Sequence, residues 1–180
     1  MVTGTRGKQG LIIVFTGNGK GKTTAALGLA LRAAGQQLRV LILQFMKGLT
    51  AIGEMKALSE ASLPITVRRF GRPGFVQNRV CEALDQHIAF QGIEAVQEAM
   101  ANQAYDMIVL DEINMAVDFG LLQIEDVMEI IEKKPPELHL VLTGRNAKKE
   151  LLEIADLVTE MREVKHPYNQ GIKAQKGIEF

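Results

Sequence analysis

The chain is predicted to be an α/β protein with three layers, a mostly parallel sheet of about six strands flanked by helices. Three observations carry the prediction: six short apolar runs rich in β-branched residues punctuate the sequence, stretches with helical spacing separate them, and several runs are apolar on both faces. Strands read this way when crossover helices cover both sides of a parallel sheet. The runs are LIIVF at 11–15, RVLILQF at 39–45, ITVRRF at 65–70, MIVLD at 107–111, HLVLT at 139–143 and LVTEM at 157–161. Residues 22–34 are rich in alanine and leucine and are closed by Gly35, suited to the left-handed position after a helix. From Val80 onward, Leu84, Ile88, Ala95, Ala99 and Met100 recur at helical spacing and predict a long amphipathic helix ending near Asn102. Residues 124–133 form another, stopped by Pro135 and Pro136. Residues 71–79 and 166–180, which carry glycines and prolines, take no element. Loops of this length are as often functional as plain surface connections.

Composition bounds what the chain does. One domain is expected over residues 1–180, with residues 1–10 a disordered polar start lacking the apolar core of a signal peptide. A chain of this size buries roughly 70% of its unfolded surface, enough for a core without disulfides. The single cysteine, Cys81, cannot form an intrachain disulfide, which points to a reducing, cytoplasmic location. His87, His139 and His166 are scattered and form no ligand motif, which argues against a protein-built transition-metal centre. Basic and acidic residues balance at 21 each, so nucleic acid is not an expected partner. The apolar runs are strand-sized, so a membrane is not expected either.

The strongest chemical signal follows the first run, where Thr16, Gly17, Asn18, Gly19, Lys20, Gly21, Lys22, Thr23 and Thr24 lead directly into a predicted helix. Strand, glycine loop and helix are the context of a phosphate-binding loop. Glycines let backbone N–H groups turn toward phosphate oxygens, and the helix N-terminus adds partial positive charge. Lys22 would neutralise phosphate, and the Thr23 hydroxyl would ligate Mg²⁺. A glycine-rich turn capped by threonine is the weaker alternative. Two features depart from the usual loop: Thr16 stands where the first glycine is expected, and Lys20 adds a second ammonium. The complementary signal is the run 105–112, a hydrophobic strand ending in Asp111 and Glu112 at the sheet edge where α/β proteins bind ligands. Either acid could hold Mg²⁺, directly or through water.

Beyond these motifs, the sequence resembles the ATP:corrinoid adenosyltransferases of cobalamin biosynthesis and salvage. The resemblance rests on TGNGKGKTTAA at 16–26, LQFMKG at 43–48, VLDEIN at 109–114, TGR at 143–145 and VKHPYNQGIKAQKGIEF at 164–180. It covers nearly the whole chain after Gly10 and implies a RecA-like P-loop fold. The activity it implies is transfer of the 5′-deoxyadenosyl group of ATP to cobalt(I) of a reduced corrinoid, releasing triphosphate. ATP would lie end-for-end, its γ-phosphate where the α-phosphate usually sits. Catalytic roles fall to Lys22, Thr23 and Glu112; nucleotide contacts to Gly17, Asn18, Gly19, Lys20, Gly21, Lys22, Thr23 and Thr24. Thr23 and Glu112 would hold Mg²⁺ or Mn²⁺, with Asp111 behind them.

Phe75 matches a corrinoid-binding aromatic of the family, although the chain has no tryptophan to supply a second one. The resemblance further implies a homodimer and a flavin-type reductant. Only ten residues precede the first strand, fewer than in the best-known members of the family, where a preceding helix from a partner subunit helps close the site. His87, in Asp85-Gln86-His87, is read as an ordinary helix residue because Phe90 replaces the glycine of a corrinoid-binding pattern. The competing readings are a conventional P-loop ATPase or small-molecule kinase, and a nucleotide-gated binding module without chemistry.

Overall fold

The computed structural model describes residues 9–48, 53–72 and 82–179. Its six strands are β1 (Ile12–Thr16), β2 (Val40–Phe45), β3 (Ile65–Phe70), β4 (Met107–Asp111), β5 (His139–Thr143) and β6 (Leu157–Glu160). They form one sheet in the order β3-β2-β4-β5-β1-β6, and every pairing is parallel. The expected architecture is therefore the one observed, and all six apolar runs became strands. The helices are α1 (Lys22–Gly35), α2 (Gly53–Glu60), α3 (Ala83–Ala101), α4 (Ile113–Asp118), α5 (Ile124–Glu132) and α6 (Lys149–Ile154).

Alternation along the strands divides the core into two layers. Ile13, Val40, Ile42, Val109 and Val141 face α1, whose Ala26, Ala30 and Ala33 present little bulk and let the helix lie close to the sheet. Their neighbours Val14, Leu41, Leu43, Ile108, Leu110, Leu140 and Leu142 face the other way, against α3, α4 and α5. Burying a side chain of this kind is worth about 1.5–3 kcal/mol, and the central strands bury both faces. Strand β6 differs: it pairs with β1 alone and is exposed throughout, as an edge strand is.

Several boundaries depart from expectation. Gly35 is the last helical residue of α1, and the left-handed position falls on Gln37, with φ 63°. The long helix begins at Ala83, since Glu82 caps it by donating its N–H to Asp85 Oδ2 at 3.1 Å. Helices α2, α4 and α6 span six to eight residues, too few to show a period in the sequence. Within the unassigned tail, Pro167–Gln170 form a 3-10 turn. Most of the expected disordered start, together with Phe75 and Cys81, lies outside the described residues; at its end, Gly10 is buried and donates its N–H to the Pro136 carbonyl at 2.7 Å. Among the described residues, no helix is long and apolar enough to cross a membrane.

Candidate functional site

The carboxyl ends of β1, β4 and β5 meet the amino end of α1, and the site is built there. At the end of β1 the chain turns through Gly17, with φ 92°, and enters α1 through Gly21, with φ 122°. Both angles lie where side chains are strained. Close approach adds a second requirement: a Cβ on Gly19 would come within 2.8 Å of the Arg162 carbonyl carbon and the Met161 oxygen. The segment after β6 packs directly against the loop there, and the Gly19 N–H donates to the Met161 carbonyl at 2.6 Å.

Lys22, the first residue of α1, is buried, and its Nζ donates to the carbonyls of Gly17 at 2.6 Å and Gly19 at 2.8 Å. Burial pulls its pKa below the ordinary lysine value; Glu112 opposes this and Arg145 adds to it. Thr23, next along, turns its hydroxyl to the acidic strand end and donates to Asp111 Oδ1 at 2.9 Å.

Strands β1 and β4 are not neighbours, because β5 runs between them. Thr143, the last residue of β5, bridges the gap. Its hydroxyl donates to Asp111 Oδ1 at 2.8 Å and accepts the Glu112 N–H at 2.9 Å. Asp111 is almost fully buried and also accepts from Gln44 Nε2 at 3.1 Å and Lys47 Nζ at 2.6 Å. Glu112 leaves the strand in the left-handed conformation, with φ 65°. Burial is the main cause raising its carboxyl above the usual range, with Asp111 adding to it and Lys47, Lys22 and Arg145 opposing. The loop after β5 is latched to α4, where Asn114 Nδ2 donates to the Gly144 carbonyl at 3.2 Å.

These groups surround a cavity of about 590 Å³. Of the residues expected at the site, Asn18, Gly19, Lys20, Gly21, Lys22, Thr23, Thr24 and Glu112 line it. Gly17 and Asp111 do not; they stand behind the wall, holding Lys22 and Thr23 respectively. Phe75 falls outside the described residues. Lys47, Arg145, His166 and Ile178, to which no sequence motif assigns a role, also line the cavity. Lys47 and Arg145 sit in the family-like segments LQFMKG and TGR, yet a lone cation after a strand carries no signature of its own.

The donors at the wall suit a hard divalent cation. Thr23 Oγ1 and the Glu112 carboxylate offer oxygen only, with Asp111 behind them, and oxygen is what Mg²⁺ or Mn²⁺ prefers. Among the described residues no cluster of three or more His, Cys, Asp or Glu side chains could enclose a metal unaided.

A glycine loop between β1 and α1, with an acidic strand end one strand removed on an all-parallel sheet, defines a P-loop nucleotide-binding protein of RecA-like architecture. Residues 8–180 match the family described as ATP:corrinoid adenosyltransferase BtuR/CobO/CobP. A corrinoid adenosyltransferase of a Sinorhizobium species is 40% identical over 96% of this chain and 81% of its own length. Those of Escherichia coli K12 and Salmonella typhimurium LT2, the latter called CobA, are each 38% identical over 96% of this chain and 87% of their own. The chain belongs to the ATP:corrinoid adenosyltransferase family, and its substrates are accordingly ATP and a corrinoid.

Proposed function

We propose that this chain transfers the 5′-deoxyadenosyl group of ATP to cobalt(I) of a reduced corrinoid, releasing triphosphate, in adenosylcobalamin biosynthesis or salvage. The observation that carries the reading is the wall of the cavity, where a phosphate-binding loop, the Lys22 ammonium and the Thr23–Asp111 pair converge with Glu112. Cobalt(I) is itself a strong nucleophile. Its electron pair forms the Co–C bond at the ribose 5′ carbon while the C5′–O bond breaks, and that bond's electrons leave with the triphosphate. No proton moves at the reacting carbon, so no side chain serves as general base.

The protein's part is alignment, leaving-group stabilisation and exclusion of water. Backbone N–H groups from Asn18 to Lys22, apart from that of Gly19, which the Met161 carbonyl takes at 2.6 Å, hold the triphosphate, and Lys20, Lys22 and Thr24 add to the cradle. Thr23 and Glu112 hold Mg²⁺ or Mn²⁺, which when bound offsets the charge that develops on the leaving triphosphate. Asp111 Oδ1 accepts a hydrogen bond from the Thr23 hydroxyl at 2.9 Å and so turns the hydroxyl lone pairs toward the cavity. ATP lies end-for-end, which places the sugar and not the γ-phosphate at the reacting end. Phe75 contributes to corrinoid binding, the electrons come from a flavin-type reductant, and the chain associates as a homodimer within the cytoplasm.

The test is product analysis. With MgATP and a chemically reduced corrinoid, each adenosylcorrinoid formed should be matched by one intact triphosphate. Products limited to ADP and phosphate would reject the reading in favour of a conventional ATPase. Sedimentation velocity tests the dimer: a single species at the monomer mass across micromolar concentrations contradicts it.

A further inference from the structure

An ionised carboxylate offers about four lone-pair positions on its two oxygens, and those of Asp111 are all engaged. Oδ1 accepts from Thr23 Oγ1 and Thr143 Oγ1; Oδ2 accepts from Gln44 Nε2 and Lys47 Nζ. Gln44 and Thr143 are fully buried on β2 and β5, so neither can leave without opening the sheet. Lys47 is different. It lies two residues beyond β2, its side chain is 29% exposed, and it lines the cavity. Its Nζ stands 2.6 Å from Asp111 Oδ2 and 3.4 Å from Thr23 Oγ1. An ammonium is thus lodged against the same two oxygens that a divalent cation, or a water bound to it, has to approach.

We propose that Lys47 is a tethered stand-in for the divalent cation, holding the metal position while nucleotide is absent and passing to the triphosphate when metal and ATP arrive together. The inference rests on the metal-binding role given above to Thr23, Glu112 and Asp111. Two cations cannot share so small a space, because their repulsion grows as distance and local dielectric fall. A metal ion arriving alone must expel Lys47 from its counter-ion and gains little. A metal ion arriving with triphosphate brings a new anion for Lys47 to meet across the cavity. Lys47 therefore makes metal binding and triphosphate binding favour one another, which is a coupling in the thermodynamic sense. It also keeps the buried Asp111 charge paired in the resting enzyme, where an unpaired buried carboxylate is costly.

The experiment compares wild type with Lys47→Met, which keeps most of the apolar stem and removes the charge, and with Lys47→Arg, which keeps the charge. Mn²⁺ is titrated by electron paramagnetic resonance without nucleotide and again with saturating tripolyphosphate. Lys47→Met should bind Mn²⁺ alone about tenfold or more tightly than wild type, while tripolyphosphate should enhance Mn²⁺ affinity about tenfold less than it does in wild type. Lys47→Arg should retain the weak binding of Mn²⁺ alone. Should Lys47→Met melt early, Lys47→Gln serves in its place. Mn²⁺ affinity unchanged or weakened in the neutral variant, while tripolyphosphate still promotes Mn²⁺ binding, overturns the inference alone. Failure of Mn²⁺ to bind wild type even with tripolyphosphate overturns the metal role and the inference with it.

Discussion

Glu112 has two properties that oppose stability in the ligand-free protein: a left-handed backbone and a carboxyl whose pKa is raised, mainly by burial. The sign of the second effect is definite. Between the ordinary carboxylate value and the raised native value, the folded protein holds a proton that the unfolded chain has lost, so stability falls as pH rises through that window and stays lower above it. Glu112→Gln should therefore raise the melting temperature of the nucleotide-free protein at neutral pH, and the gain should vanish below the ordinary carboxylate range. A melting series against pH checks this; an equal gain at every pH contradicts it. The same substitution should abolish tight Mn²⁺ binding. For Lys22→Ala, transfer should fall by about 10²–10³-fold, the usual loss when a donor to developing charge is removed. Circular dichroism should show the fold retained, since Lys22 bonds only to carbonyls of its own loop. The loop was legible residue by residue because its chemistry depends on fixed spacing. Lys47 was not, because its partner Asp111 is 64 positions away and only the fold brings the two together.

Strands were the most legible elements: the runs at 65–70, 107–111 and 139–143 became β3, β4 and β5 without a shift of boundary. Each is a β-branched or aliphatic run bounded by polar or turn residues, so local pattern and tertiary burial agree. The order of strands is not written in such a pattern, and neither is the consequence that β5 separates the phosphate loop from the acidic strand end. That placement makes Thr143 the joint between them. Thr143→Val keeps the shape but leaves the Glu112 N–H and one Asp111 lone pair without their partner, which should cost about 1–3 kcal/mol by chemical denaturation. Thr143→Ser should recover most of that loss, whereas a Ser variant no better than Val would mean that the methyl group, and not the hydroxyl, matters there. Gly19→Ala tests the contact between the loop and the segment after β6, because the clash is with the backbone of Met161 and Arg162, which has no side-chain freedom to yield. The expected result is a loss of about 1–3 kcal/mol, as for other overpacked sites, accompanied by weaker nucleotide binding in calorimetry.

Across the whole molecule the cavity gathers residues from widely separated parts of the chain, from Asn18 in the phosphate loop to Glu179 in the tail. Formal charge is zero for the chain, yet Lys20, Lys22, Lys47 and Arg145 all line this one space. Overall charge balance conceals this local gathering of cations, which stands beside Glu54, Glu112 and Glu179 in the same cavity. The tail shows no element in its sequence because a 3-10 turn and irregular backbone carry no period, but its His166, Gly177, Ile178 and Glu179 line the same cavity as the phosphate loop. Such an arrangement suits a reaction in which the triphosphate is held as a leaving group and the sugar is presented to the corrinoid. The decisive measurement is a crystal structure of the complex with MgATP and a corrinoid. It should show the γ-phosphate where an ordinary P-loop ATPase holds the α-phosphate, with the ribose 5′ carbon facing cobalt. A γ-phosphate in its ordinary place, with the ribose turned away from the corrinoid, would contradict the proposed chemistry.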